Sequence, residues 1–356
     1  MTGVPAPTSR PTVPPLPIRL LGSGVCLPFT VVENDTVDVR LGLEPGTTAR
    51  RHGVMRRPIA GSDERATALG ARAARSALDA AGLEPDRLDV VVSAASVAEQ
   101  AIPCQAALFL RALGLGARGV PAFDVNASCL SFLAALDLLA PAIAIGRFDT
   151  ALVVSSEQPS VGIDPNDAST AGLFGDGAAA IVIGRSEPNA SVPRSGGDDG
   201  HASALLATSM ATWAEHVDCC TLPGGGTANR LERGLDDYLA ATRFRMDGPA
   251  LYRAVARRIG PFVDALLARA NLGREALDLI VPHQASARAL GGLTRHLGID
   301  PARVVDILAD HGNQVAASLP SALHHAIASG RLVRGDTVAL LGSGAGVSLG
   351  GAILRY

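Results

Sequence analysis

Leu78-Asp79-Ala80-Ala81-Gly82-Leu83-Glu84-Pro85-Asp86-Arg87-Leu88-Asp89-Val90-Val91-Val92 has a counterpart in Leu267-Ala268-Arg269-Ala270-Asn271-Leu272-Gly273-Arg274-Glu275-Ala276-Leu277-Asp278-Leu279-Ile280-Val281. Each reads as the end of a helix, a short acidic turn and an apolar, β-branched run. Such a run is too short for a helix and too apolar for an exposed face, so it predicts a central strand of a sheet covered on both sides. The echo continues outward. Leu113-Gly114-Leu115 is matched by Leu297-Gly298-Ile299, and Asp149-Thr150-Ala151-Leu152-Val153-Val154 by Asp336-Thr337-Val338-Ala339-Leu340-Leu341. A repeat of this length is a duplicated domain rather than a solenoid.

The halves are bounded from these echoes. Residues 1–17 are a proline-rich tail, and 18–184 form the first half. Residues 185–244 connect the halves, with Gly- and Asp-rich loops around Arg194 to His201 and Pro223 to Gly226. The second half spans 245–356. A chain of 356 residues can bury such a double core, and 47% hydrophobic against 18% charged residues argues against disorder. No apolar run reaches the roughly eighteen uncharged residues of a membrane span. The tail lacks the basic and apolar regions of a signal peptide, so a cytoplasmic protein is expected. Five cysteines without CxxC spacing point to a reducing compartment and to no metal site. A net charge of −3 gives no reason to expect nucleic acid. All 31 basic residues are arginine, which removes Schiff-base, pyridoxal phosphate and Walker-type chemistry for want of a lysine.

Cys129 stands in Phe123-Asp124-Val125-Asn126-Ala127-Ser128-Cys129-Leu130-Ser131-Phe132, where a strand-like run meets a helical pattern. A cysteine at such a junction is expected to expose its sulfur over the positive end of a helix, which lowers thiol pKa and favours the nucleophilic thiolate. In the repeat register Cys129 falls opposite Asn313, and each precedes an alanine-rich helix. His283 follows the strand Leu277 to Val281, in the crevice where α/β sheets bind ligands. A Cys-His-Asn cluster where two duplicated sheets meet is therefore expected. Cys26, Cys104, Cys219 and Cys220 read as inert packing residues. The segment Gly342-Ser343-Gly344-Ala345-Gly346 fails as a dinucleotide fingerprint, because Val347 holds the last glycine position.

The chain resembles the β-ketoacyl-[acyl carrier protein] synthase III group of thiolase-fold condensing enzymes. The matching stretches are Leu21 to Pro28, Pro121 to Val125 before Cys129, Phe174-Gly175-Asp176-Gly177-Ala178, Met246-Asp247-Gly248, Val281-Pro282-His283-Gln284-Ala285, His311-Gly312-Asn313 with Ala316-Ala317-Ser318, Gly342 to Gly346, and Gly350 to Tyr356. The resemblance implies a thiolase fold, two α/β halves in five layers, αβαβα. It implies an acyltransferase that loads an acyl group on Cys129 and extends it by decarboxylative Claisen condensation with a malonyl-type thioester, in fatty acid or polyketide-like metabolism. His283 and Asn313 would bind the extender carbonyl, and the backbone N–H groups of Cys129 and Ala345 would form the oxyanion hole. Ile102, Phe174, Leu222, Met246, Gly248 and Ser318 would line the substrate site.

No cofactor is implied beyond acyl thioesters on acyl carrier protein or coenzyme A. The partners implied are acyl carrier protein, docked on Arg253, Arg288 and Arg295, and a second copy in a homodimer; no membrane is expected. The tryptophan and arginine that clamp coenzyme A adenine are absent, their positions falling near Gly46 and Ala168. Two other readings stay open on sequence. One is acyl transfer from Cys129 to a hydroxyl or amine; the other is a non-catalytic subunit, against which the complete cluster argues.

Overall fold

A computed structural model describes residues 14–186 and 202–356. The tail before residue 14 and the loop around Arg194 to His201 lie outside the described residues. The strands of the two large sheets are β1 (Ile18–Cys26), β2 (Val90–Ala94), β3 (Ala122–Val125), β4 (Thr150–Glu157), β5 (Gly177–Arg185), β6 (Ala204–Thr212), β7 (Leu279–Pro282), β8 (Thr337–Gly344) and β9 (Ser348–Arg355). The first sheet runs β1-β5-β4-β2-β3 and the second β6-β9-β8-β7. An isolated bridge from Ile280 to Val304 continues the second sheet where β3 ends the first. Both sheets thus share one strand order.

The quoted repeat shows why. Its first copy is the helix α1 (Ala66–Ala81), a 3₁₀ turn at Pro85–Arg87 and β2; its second is the helix α5 (Ile259–Arg269), a turn at Arg274–Ala276 and β7. The aspartate before each strand has a fixed task. Asp89 accepts from the backbone N–H of Thr150 at 2.9 Å, and Asp278 from that of Thr337 at 2.8 Å. Each carboxylate therefore pins the start of the neighbouring strand, where backbone donors would otherwise lack partners.

The other helices that pack on the two large sheets or beside the site include α2 (Gln105–Ala112), α3 (Ser131–Ala144), α4 (Gly248–Ala256), α6 (Ala287–Leu297) and α7 (Ser318–Ala328). α3 and α7 lie between the sheets. Phe132, Leu136, Leu139 and Ile143 share one core with Leu319, Leu323 and residues of both sheets. A helix covered on two sides must be apolar around most of its circumference, and α3 is. α1 and α2 cover the outer face of the first sheet, α5 that of the second. The layers are α-β-α-β-α.

The stretch 185–244, read as a connection, holds a strand of the second sheet. This strand is β6, the counterpart of β1, and it pairs with β9 over eight residue pairs. Its sequence, Ala204-Leu205-Leu206-Ala207-Thr208-Ser209-Met210-Ala211-Thr212, lacks the valine-isoleucine run that marked the other central strands. Only half of it is buried, so composition concealed it.

Candidate active site

Cys129 sits in a tight turn between β3 and α3. Ser128 has φ 53°, the Leu130 N–H donates to Ala127 O at 3.1 Å, and that of Ser131 to Ser128 O at 3.1 Å. The turn is braced by side chains: Asn126 accepts from the Ser128 N–H at 3.0 Å and donates to Ser96 O at 2.8 Å. A left-handed residue just before this cysteine is stored strain of the kind found at functional sites.

β8 approaches this turn closely. A Cβ on Gly342 would lie 2.6 Å from Leu130 Cδ2 and 3.5 Å from His283 Cβ, and one on Gly344 would lie 3.6 Å from the Cys129 nitrogen. Glycine there lets the strand pass between the turn and the histidine. The segment beyond β8 brings the Ala345 N–H onto the Cys129 sulfur.

The electrostatics depart from the sequence expectation. Cys129 is half-buried rather than exposed. Burial pushes its thiol well above the usual range, and the charges of Cys220 and Glu157 push the same way. The N–H groups of Cys129 and Ala345 oppose this without reversing it. Desolvation outweighs those two donors here. Cys220, read as a packing residue, lies near enough for its thiolate form to raise that thiol further, while burial holds Cys220 itself up at about 11. Glu157, at the end of β4 and 2% exposed, was missed. It accepts from the Ser96 N–H at 2.5 Å and from Ala316 and Val97, yet burial lifts its carboxyl to about 7. The signal was there: a lone carboxylate closing an apolar strand.

His283 follows β7 and is buried, and burial lowers its imidazole to about 4, so it is neutral at ordinary pH. Its Nδ1 lies 2.5 Å from Ser318 Oγ. Asn313 is also buried. Its backbone bridges to Phe174: the Asn313 N–H donates to Leu173 O at 2.9 Å and the Gly175 N–H to Asn313 O at 3.2 Å. Its side-chain oxygen accepts from the Val315 N–H at 2.9 Å, which turns Nδ2 toward the histidine segment, where it donates to Ala285 O at 3.3 Å. The Phe174 to Ala178 motif is the frame for this asparagine. Gln314 donates to Asp176 O at 3.0 Å, and Asp176 accepts from Ser160 and Ala60.

The expected pocket residues divide. Phe174 is buried edge-to-face on Phe244, with Met246 packed on the same cluster and Gly248 beginning α4 beside it. Leu222 is 37% exposed, and Ile102, at 86%, projects from its loop. Ser318, expected to line the substrate site, is fully buried with its Oγ 2.5 Å from His283 Nδ1. Arg253, Arg288 and Arg295 are all exposed on α4 and α6, which pack together, Arg288 lying 4.5 Å over the Tyr252 ring.

Two family profiles match. The 3-oxoacyl-[acyl-carrier-protein (ACP)] synthase III profile covers residues 123–200, and the C-terminal profile of the same name covers 267–356. The chain is 33% identical to the β-ketoacyl-[acyl-carrier-protein] synthase III of Methylococcus capsulatus, over 95% of this chain and 98% of that one. It belongs to the 3-oxoacyl-acyl carrier protein synthase III family. Two crystal structures of synthase III proteins superpose on this one. That from Pseudomonas aeruginosa gives a TM-score of 0.82 at 34% identity, covering 95% of this chain and 98% of its own. That from Aquifex aeolicus gives 0.83 at 31%, covering 95% and 100%. Among the described residues of this synthase III chain, no helix is long and apolar enough to cross a membrane.

Proposed function

We propose that this enzyme is a β-ketoacyl synthase that loads an acyl group on Cys129 and lengthens it with a malonyl-type extender. The Cys129 sulfur attacks the acyl thioester carbonyl, and the donor thiol leaves. The oxyanion of that step is met by the N–H groups of Cys129 and Ala345. The malonyl thioester then loses carbon dioxide, and the electron pair is held as an enolate whose oxygen is bound by His283 and Asn313. The enolate carbon attacks the acyl-cysteine, the cysteine leaves as thiolate, and a β-ketoacyl thioester remains. Fixed donors aimed at such oxygens contribute on the order of 3–4 kcal/mol each.

The observation that carries this reading is the locked amide of Asn313 beside a neutral His283. Acyl transfer to a hydroxyl or amine needs the cysteine and its oxyanion hole but has no task for a second carbonyl donor. Loss of carbon dioxide does.

Acyl carrier protein is proposed to deliver at least one substrate, docking on Arg253, Arg288 and Arg295. Three exposed arginines on two adjacent helices suit an acidic helical carrier and its phosphopantetheine arm. The segments around Gly46 and Ala168 face each other, Arg51 donating to Ala168 O at 2.9 Å, without the aromatic partner an adenine needs. The test pairs intact-protein mass with labelled carbon dioxide release across acyl carriers and acyl coenzyme A donors. An adduct on Cys129 with carbon dioxide released from malonyl carrier supports the reading. An adduct that transfers only to hydroxyls or amines overturns it.

A further inference from the structure

Ser318 has one hydroxyl hydrogen and two acceptors within reach. Val315 O lies 2.8 Å from its oxygen, and His283 Nδ1 lies 2.5 Å away on another side. Both residues are buried: Ser318 is 0% exposed and His283 6%. A neutral imidazole carries one N–H, and the hydrogen bond made at one nitrogen decides which nitrogen holds it. The rotor of Ser318 and the tautomer of His283 are therefore one device with two states. If the hydroxyl donates to Val315 O, Nδ1 must carry the ring hydrogen, since two lone pairs would otherwise face each other across 2.5 Å. Nε2 is then bare and can only accept. If the hydroxyl donates to Nδ1, the ring hydrogen sits on Nε2, and the histidine can donate to a thioester oxygen.

The surroundings favour the second state. Val315 O already accepts from the backbone N–H of Ser318, so a departing hydroxyl leaves no unpaired carbonyl. The contact to Nδ1 is also the shorter of the two, and an imidazole lone pair is a stronger acceptor than an amide oxygen. We infer that Ser318 is a positioning residue: its hydroxyl donates to His283 Nδ1 and so keeps the catalytic hydrogen on Nε2, pointed at the extender carbonyl. This rests on the reading of His283 as an oxyanion donor. It adds that the donor is made by a residue outside the cysteine, histidine and asparagine set, and that Ser318 acts without touching substrate.

The test uses the full-length protein with ¹⁵N-labelled histidine, the His283 signals being assigned by their loss in His283→Ala. Long-range ring couplings then report which nitrogen is protonated. The wild type should show hydrogen on Nε2. Ser318→Ala should shift the ring toward the Nδ1–H form and slow carbon dioxide release from malonyl carrier by about 10- to 100-fold through kcat, the range seen when the partner orienting a metal-bound histidine is removed. Acyl loading of Cys129 should persist, and Ser318→Thr, which keeps a hydroxyl, should restore the Nε2 form. An Nδ1–H wild type overturns the inference, as does a Ser318→Ala protein with tautomer and release unchanged. Because the wild-type tautomer is itself decisive, a poorly folding variant does not shield the claim. If His283→Ala releases carbon dioxide normally, the assignment of His283 itself falls, which is a distinguishable failure.

Discussion

Val315 holds Asn313 by a backbone N–H at 2.9 Å from the side-chain oxygen, and it does so from a left-handed conformation, φ 51°. A β-branched residue rarely adopts that conformation, at a cost of about 1–2 kcal/mol. The geometry it holds leaves the Asn313 amide no freedom to flip.

That lock separates two partial reactions. Asn313→Asp keeps an oxygen for the Val315 N–H and removes the Nδ2 donor. Carbon dioxide release from malonyl carrier should fall by about 10²–10³-fold, while acyl loading on Cys129 continues. Parallel measurement of labelled carbon dioxide and intact mass checks it; equal loss of both would place Asn313 in loading instead.

Cys129→Ala should carry no acyl group on any cysteine, Cys220 included, with the fold retained. Because burial raises the Cys129 thiol, the loading rate of the wild type should climb steadily with pH from 6 to 9 rather than level off near neutrality. Single-turnover mass spectrometry reads both. A plateau below pH 7 would show that the thiolate already dominates.

Gly342→Ala should destabilise the protein by about 1–3 kcal/mol through overpacking. The new methyl would lie 2.6 Å from Cδ2 of Leu130, a side chain that is fully buried and has little room to give way. Thermal melting should show the loss, and Leu130→Val should restore part of it. Additive losses in the double variant would remove Leu130 as the cause.

Two buried groups should tilt stability with pH in opposite directions. The imidazole of His283 is held near 4, below its unfolded value of 6.5, so the unfolded chain binds more protons between these values and stability falls as pH drops through that window. Glu157, lifted from 4.5 to about 7, keeps its proton when the unfolded chain has lost it, so stability falls as pH rises from 4.5 to 7. Denaturation of Glu157→Gln at pH 5 and pH 8 should lose the second slope, and His283→Gln the first. An unchanged slope in either variant would show that the named group does not supply it.

Phe123 is 39% exposed on β3, the edge strand of the first sheet, where a second copy of the chain would pair. Light scattering should find a dimer at micromolar concentration, and Phe123→Glu should weaken it, since an unpaired apolar edge is costly in water. A wild-type monomer would contradict this.

Much of this was legible in the chain itself. The two copies of helix, acidic turn and apolar strand determined a duplicated α/β architecture, because a covered strand must be apolar and its entering aspartate must meet the neighbouring N–H groups. The register of the repeat also placed Cys129 opposite Asn313. Other features existed only in three dimensions. β6 escaped notice because only four of its nine residues are buried and its composition is ordinary. The direction of the Cys129 thiol shift depended on how completely the fold encloses it, and local sequence reports the helix end but not the enclosure. Glu157 and Ser318 acquire their roles from neighbours far along the chain, Ser96 and Ala316 for one and His283 for the other. Periodicity registers which face of an element is buried; the partner a buried polar atom meets is decided by packing.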